Sequence, residues 1–257
     1  MSGWSPERYL KFEEERTRPA RDLLARVPLG SVRSVYDLGC GPGNSTRLLV
    51  ERFGAETVTG VDSDPAMLAA ARKALPHVRF VEADIASWAP EEPADLIYAN
   101  ASFQWLADPL AAMARMLDCL APGGALAVQM PDNLAEPSHR LMEHAAISGP
   151  WADRFAKKPA RRHAVPGAGA IYDRLAGRSR ELDIWHTIYN HRLAGPRGII
   201  DWFASTGLRP YLDRLEGDER DAFLADYERR IAAAYPARTD GTVLLRFPRL
   251  FIVAVKR

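Results

Sequence analysis

The segment Val35–Thr46, with the sequence VYDLGCGPGNST, constrains the fold more than any other part of the chain. Val35–Leu38 is mostly apolar, as a buried parallel strand should be. Three glycines follow at alternate positions, Gly39, Gly41 and Gly43. Glycine tolerates positive φ angles and lets another group approach the backbone closely. Because Asn44 or Ser45 can cap a following helix, the segment predicts a shallow binding cradle at the carboxyl end of a strand.

An acidic residue supports a nucleoside ligand for this cradle. Asp62 closes the next predicted strand, where a carboxylate can accept hydrogen bonds from both ribose hydroxyls. The glycine spacing G-x-G-x-G differs from the G-x-G-x-x-G fingerprint of dinucleotide-binding proteins, which disfavours a nicotinamide-dependent oxidoreductase. A tight turn without a ligand is the alternative, although three glycines and a correctly placed acid are costly for a turn alone.

The rest of the first half alternates strand and helix, which predicts a doubly wound α/β sheet. The predicted strands are Ser34–Leu38, Glu56–Asp62, Val78–Glu82, Ala94–Asn100 and Ala125–Met130. The intervening helices are Asn44–Phe53, one capped by Asp64 and one capped by Asp108. Further along, Leu182–Arg192 alternates as a strand, residues 197–235 are helical, and a last strand over 243–255 is broken by Pro248.

The chain is predicted to divide into four segments. Residues 1–30 contain a helix over Pro19–Arg26 and form either a lid or an ordinary packed helix pair. Residues 31–131 form the binding core, and residues 132–180 form connecting helices and a loop. Residues 181–257 hold the last two strands and a helical cap at about 195–240.

Composition excludes several classes of protein. The 257 residues are 47% hydrophobic and carry a net charge of +1, so nothing steers the chain globally to nucleic acid or membrane. Two cysteines, Cys40 and Cys119, exclude a disulfide framework and a cysteine-rich metal site. We therefore expect a cytoplasmic protein without a metal cofactor, without nucleic-acid or membrane partners, and either monomeric or a weak homodimer.

The stretch DLGCGPG, followed by VDS, resembles motif I of the class I S-adenosylmethionine-dependent methyltransferases. The resemblance implies a Rossmann-like, mostly parallel seven-stranded sheet with an antiparallel last strand. It also implies S-adenosylmethionine as cofactor and S-adenosylhomocysteine as product. Asp84 would bind the adenine amino group, with Ile85 packed on the ring, although Asp84 is also a plausible helix cap. The expected cofactor contacts are Asp37, Gly39, Gly41, Gly43, Asn44, Asp62, Ser63, Met67, Asp84, Ile85 and Asn100.

The end of the fourth strand faces the transferred methyl group in the resembled family. Asn100 or Gln104 could orient the substrate there, while Trp105 could belong either to the site or to the core. The need for a general base depends on the nucleophile. A hydroxyl or amine would require one, whereas a carboxylate is already ionised at neutral pH and needs only cations and donors to orient it; no residue is predicted as a base. The candidate substrate contacts are Tyr9, Arg16, Arg18, His191, Arg209 and Arg246, although for a single arginine a solvated charge is the ordinary alternative and His191 could be structural.

Narrower segments resemble the trans-aconitate 2-methyltransferase family. They are Gln129–Asn133, Ile199–Leu212 and Phe247–Ala254, within a resemblance that runs from Trp4 to Ala254. The resemblance implies methyl esterification of one carboxylate of a small tricarboxylate. Two alternatives stay open. A malonyl-carrier-protein methyltransferase would use the basic run Lys157–Arg162 for docking, and a regulator would bind S-adenosylmethionine without catalysis.

Overall fold

The computed structural model describes residues 12–156, 163–204 and 206–257. These residues divide into two compact units. The sheet unit comprises residues 13–131, 163–187 and 249–257, and the helical unit comprises Phe12 and residues 132–156, 188–204 and 206–248. The predicted division at residues 30, 131 and 180 stays a prediction.

Seven strands form one sheet in the described part of the chain. They are β1 Val35–Leu38, β2 Val58–Asp62, β3 Arg79–Glu82, β4 Ala94–Asn100, β5 Leu120–Pro131, β6 Ser179–Leu193 and β7 Val243–Lys256. Their spatial order is β3-β2-β1-β4-β5-β7-β6. The pairs among β1 to β5 are parallel, and β7 runs antiparallel to β5. The predicted doubly wound, mostly parallel seven-stranded sheet is confirmed.

Ten α-helices occur in the described residues. They are α1 Glu13–Ala25, α2 Asn44–Phe53, α3 Pro65–Ala74, α4 Pro109–Asp118, α5 Pro137–Ser148, α6 Asp153–Ala156, α7 Ala168–Leu175, α8 Gly195–Ala204, α9 Arg209–Leu212 and α10 Gly217–Ala234. Two predicted caps are confirmed, since the Asp64 carboxylate accepts from the first turn of α3 and Asp108 from that of α4. Each begins with proline, which is already set for a helical φ. None of the helices in the described ranges has both the length and the apolar character to span a bilayer.

The core of the sheet unit lies along the central strands, which are buried on both faces. Leu38, Ile97, Val128 and Ile252 are all fully buried there. The Tyr98 hydroxyl donates to the Ala20 carbonyl oxygen at 2.6 Å, so the buried phenol is satisfied and α1 is fixed to β4.

The helical unit has its own aromatic core. Trp151 and Phe223 meet edge to face with ring centres 5.7 Å apart. Ser138, in the first turn of α5, donates its backbone N–H to the Tyr235 hydroxyl at 3.1 Å and accepts from the Tyr227 hydroxyl at 2.9 Å. Two buried tyrosines thus satisfy backbone groups at a helix end, where four amides lack helical partners.

The structure corrects three element boundaries. Helix α1 begins at Glu13 rather than Pro19, because strong helix formers precede the proline. Strand β5 begins at Leu120 rather than at Ala125. Glycine is needed inside this strand, because a side chain at Gly124 would collide with the Ala94 carbonyl oxygen. Strand β7 is not broken at Pro248. The proline lies opposite Asp132, just past the end of β5, so its missing N–H costs the ladder little, and its carbonyl still accepts from Asp132 N at 3.0 Å.

Gly39 lets the ends of β1 and β4 approach closely. A Cβ atom at this position would lie 2.3 Å from the Ser102 Cβ, and its φ angle is 72°. The Ser102 hydroxyl donates to the Leu38 carbonyl oxygen at 2.7 Å. A larger residue would therefore separate the two strand ends that define the glycine turn.

We expect Gly39→Ala to destabilise the fold more than Gly41→Ala. Both glycines have positive φ, which costs an alanine about 1–2 kcal/mol, but a Cβ at position 41 meets nothing within 4 Å. The overlap with Ser102 should add about 1–3 kcal/mol to the loss in Gly39→Ala. Denaturant unfolding of both variants measures the difference, and equal losses would contradict the close approach.

Candidate active site

The glycine turn after β1 is open to a ligand. The backbone N–H of Gly41 donates to Asp62 Oδ2 at 2.8 Å, and the N–H of Asp64 donates to Asp62 Oδ1 at 2.9 Å. Asp62 is half-buried, so it fixes the turn and still presents lone pairs at its surface. Because nothing lies within 4 Å of a Cβ built at Gly41, a ligand can approach the backbone there.

Asp37 lies beneath this turn with no exposed surface. Its Oδ2 atom accepts from Ser45 Oγ at 2.8 Å and from Thr46 Oγ1 at 2.7 Å. The prediction that Asn44 or Ser45 caps α2 is wrong, because the cap residue is Gly43, without a side-chain bond, and the Ser45 hydroxyl serves Asp37 instead. Burial raises the pKa of the Asp37 carboxyl from 3.8 to about 6, although the two hydroxyls oppose the shift.

The end of β4 carries a bent backbone and two amides. Ala101 has a φ angle of 56°, which is unusual for a residue other than glycine. Its N–H donates to the Gln129 carbonyl oxygen at 2.9 Å, and its carbonyl accepts from Gln104 Nε2 at 2.6 Å. The Ala101 conformation is therefore fixed from both sides, which is typical of strained residues at functional sites.

Three buried oxygen atoms at these strand ends lack a hydrogen-bond partner within the described residues. They are Asp37 Oδ1, Asn100 Oδ1 and Gln104 Oε1. Buried acceptors without donors are costly, so they indicate a ligand with positive charge or N–H groups. S-adenosylmethionine, which carries an ammonium and a sulfonium group, fits this set. A pyrophosphate would instead be repelled by Asp37 and Asp62.

The loop after β3 is fastened from α4. Asp84 is exposed and Oδ1 accepts from the N–H of Ala86 at 2.8 Å, so it closes a local turn rather than capping a helix. Arg115 donates to the carbonyls of Ile85 and Ala86, both at 2.8 Å. Ile85 is half-buried and remains a candidate for the adenine ring. The sequence gives no local sign of the role of Arg115, because its partners lie 30 and 29 positions away in the chain.

The remaining predicted cofactor contacts lie around the same turn. Ser63 is exposed, Asn44 is half-buried and Met67 is 5% exposed. Their contact with cofactor stays a prediction.

The predicted substrate contacts of the helical unit have protein partners. Arg246 pairs with Glu136, and the Nε atom of Arg209 lies 3.5 Å from a carboxylate oxygen of Asp213. His191 is 5% exposed and stacks on Trp202 with ring centres 4.4 Å apart, an environment typical of a structural histidine. A substrate role for these residues stays a prediction.

The other predicted substrate contacts lie on α1 or outside the described residues. Arg16 is half-buried and Arg18 is exposed; two positions apart on a helix, they do not share a face. Tyr9 and the basic run Lys157–Arg162 lie outside the described residues.

Sequence reasoning missed one buried pair of side chains near the carboxyl end of β5. Arg249 of β7 is 3% exposed, and its Nη1 donates to Gln129 Oε1 of β5 at 3.0 Å. Both residues lie in segments that carry the family resemblance, but the predicted substrate contact of the last strand is Arg246. The antiparallel pairing of β5 with β7, which brings Pro131 opposite Arg249, is the signal that could have found them.

We expect Asp37→Asn to remove a pH dependence of stability. The pKa of Asp37 is higher in the folded state, so the folded state binds more protons and wild-type stability falls as the pH rises from about 4 through about 6. A shift of this size corresponds to about 3 kcal/mol. Asparagine keeps an acceptor for both hydroxyls and does not ionise. The free energy of unfolding of the variant, measured with urea, should therefore exceed that of wild type by an amount that grows between pH 4 and pH 8. A constant difference across this range would contradict the burial argument.

Comparison with known proteins now gives the family. Residues 35–124 match the family model described as a methyltransferase domain. The chain is 58% identical over 254 residues to a trans-aconitate 2-methyltransferase of Rhizobium rhizogenes, with 99% of each chain covered. It is 55% identical over 254 residues to a protein of the same name from Agrobacterium fabrum, again with 99% of each covered.

A solved structure supports the fold independently. The YcgJ protein from Bacillus subtilis superimposes with a TM-score of 0.58 at 14% identity, covering 93% of this chain and 98% of its own. That likeness concerns the fold alone. The identity to the two relatives extends over both units, including the segments beyond the methyltransferase domain. The chain therefore belongs to the trans-aconitate 2-methyltransferase family, within the S-adenosylmethionine-dependent methyltransferases.

Proposed function

We propose that this protein transfers a methyl group from S-adenosylmethionine to one carboxylate oxygen of trans-aconitate. One observation carries the cofactor assignment. Three buried acceptors beside the open glycine turn have no partner among the residues that the structure describes, namely Asp37 Oδ1, Asn100 Oδ1 and Gln104 Oε1. The substrate assignment draws on two relatives that are named trans-aconitate 2-methyltransferase and that match this chain over 99% of their length.

The chemistry suits a site without a general base. Bound S-adenosylmethionine supplies an electrophilic methyl group on a positively charged sulfur. A substrate carboxylate is already ionised near neutral pH, so the new O–CH₃ bond forms while the S–CH₃ bond breaks, its electron pair stays on sulfur, and no proton moves. The positive charge of the sulfonium and the negative charge of the reacting carboxylate thereby cancel, a change that a buried site favours over water.

The protein then has to align two groups and exclude water. Asn100 and Gln104 are the proposed orienting residues, because their buried oxygen atoms can accept hydrogen bonds from polarised C–H or N–H groups of the cofactor. The fixed Ala101 backbone between them limits their freedom. Holding two reactants in line accounts for much of the rate in such displacements.

The remaining cofactor contacts are assigned from the strand ends. Asp62 takes the ribose hydroxyls, Asp84 the adenine amino group and Ile85 the ring face. Asp62 is supported by its position at the end of β2 and its bond to Gly41 N. Arg115 supports the other two by binding the carbonyls of their loop.

The proposed substrate contacts are guanidinium groups. Arg16, Arg18, Arg209 and Arg246 can each bind a carboxylate by paired hydrogen bonds. Arg209 and Arg246 already contact Asp213 and Glu136, so a substrate carboxylate would compete with these partners or share the guanidinium with them. Tyr9 and His191 complete the proposed set.

We expect turnover with trans-aconitate and S-adenosylmethionine. The product, read by mass spectrometry, should be a monomethyl ester together with S-adenosylhomocysteine. Parallel reactions with cis-aconitate, isocitrate, citrate and a malonyl-carrier protein test the substrate. Turnover of the carrier protein alone would replace the substrate assignment, and cofactor binding with no turnover on any acid would favour a regulator.

We expect Asp62→Ala to weaken S-adenosylmethionine binding by about 1.5–3 kcal/mol, since bonds to a charged group are lost. Asp64→Ala is the matched control, because it removes an acid two positions away that caps α3 and should lower stability alone. Isothermal titration calorimetry measures both affinities. An unchanged dissociation constant in a folded Asp62→Ala variant would remove Asp62 from the site.

A further inference from the structure

The orientation of the Gln129 side chain is determined by Arg249. Arginine has only hydrogen-bond donors, and its Nη1 lies 3.0 Å from Gln129 Oε1. The oxygen of the amide must therefore face Arg249, and the Nε2 group must face the other way. Gln129 is fully buried, so this orientation is not averaged by solvent.

The Gln129 Nε2 group has no acceptor within the described residues. Leaving such a donor buried and unpaired costs stability, and the group is next to a buried oxygen that also lacks a partner. Asn100 and Gln129 are register partners on the parallel strands β4 and β5, so their side chains point to the same face of the sheet. Nevertheless Asn100 Oδ1 and Gln129 Nε2 do not satisfy each other.

The two groups match the two reactants of the proposed reaction. Asn100 Oδ1 is an acceptor and suits the cationic methyl donor, whereas Gln129 Nε2 is a donor and suits a carboxylate. Neighbouring strands lie about 4.8 Å apart, and reacting atoms in such a displacement meet at about 3–3.5 Å. A donor and an acceptor on adjacent strands can therefore hold an anion and a cation within reacting distance.

We propose that Gln129 Nε2 binds the carboxylate of the substrate that is methylated, and that Arg249 is a positioning residue that fixes the Gln129 amide. The inference rests on the proposed function for the carboxylate and deepens it, because it assigns a specificity-determining donor in the sheet unit. Burial of both side chains excludes water from this position, as closed active sites do.

Gln129→Glu is the decisive variant. Glutamate keeps an oxygen for Arg249 Nη1, so the pair and the fold are retained, but it replaces the N–H₂ group with a second acceptor. We expect the dissociation constant for trans-aconitate, titrated in the presence of S-adenosylhomocysteine, to rise roughly 10- to 100-fold. The affinity for S-adenosylhomocysteine alone should change less than about twofold, because free-energy changes at independent sites rarely affect one another by more than this.

A second variant guards against a folding defect. Gln129→Met has similar length and neither donor nor acceptor, and it should weaken trans-aconitate binding in the same direction. Thermal unfolding identifies any variant that does not fold. If a folded variant of either kind binds and turns over trans-aconitate like wild type, the proposal is overturned. Equal losses of acid and cofactor affinity would also overturn it, because Gln129 would then support the cofactor or the fold.

Arg249 is tested by rescue. Arg249→Lys keeps a donor for Gln129 Oε1, whereas Arg249→Met does not and lets the amide turn. We expect Arg249→Met to raise the KM for trans-aconitate more than it lowers kcat, and Arg249→Lys to recover part of the loss. Equal KM values in the two variants would remove the positioning role.

The binding experiment separates this inference from the proposed function. If wild type binds trans-aconitate without methylating it and Gln129→Glu loses that binding, the carboxylate donor stands and the proposed reaction fails. If wild type methylates trans-aconitate and Gln129→Glu does so equally well, the reaction stands and the donor fails. If wild type binds none of the tested acids, both fail.

Discussion

The carboxyl group of Asp37 is the constraint on which the binding edge of the sheet depends. One oxygen joins β1 to the start of α2 through Ser45 and Thr46, and the other has no donor in the described part of the chain. Burying an acid in this way lowers the stability of the fold near neutral pH, as its raised pKa indicates. A cationic ligand can recover that cost, so cofactor affinity and the stability of the unliganded protein are opposed at this residue.

The same edge depends on how closely two strand ends approach. Gly39 leaves room for Ser102, whose hydroxyl binds the carbonyl of Leu38. The next residue back, Ala101, takes a left-handed conformation that costs alanine about 1–2 kcal/mol. Bonds to Gln129 and Gln104 hold it there. The strain is therefore fixed by the sheet, at the residue between Asn100 and Ser102.

The bounds of several elements of the sheet unit could be predicted because they depend on neighbouring residues. Side-chain partners that lie far apart in the sequence could not be predicted. Helix α2 and strand β4 have their predicted bounds because glycine, periodicity and burial act locally. The cap of α2 was predicted wrongly, because the hydroxyl of Ser45 binds a buried acid instead of the helix end. The arginines show the same limit. Arg246, a predicted substrate contact, pairs with Glu136, whereas the buried guanidinium beside the end of β5 belongs to Arg249.

The distribution of buried donors and acceptors explains how a widespread fold can host carboxylate methylation. Among the described residues, the buried groups without partners near the glycine turn are oxygens, which suit a cation. One strand further along, Gln129 offers N–H groups, which suit an anion. Neither group needs to ionise during the reaction, so the site keeps one protonation pattern while charge disappears between the reactants. Fixed dipoles of this kind need no reorganisation during the reaction, and no base is needed because the carboxylate is already ionised.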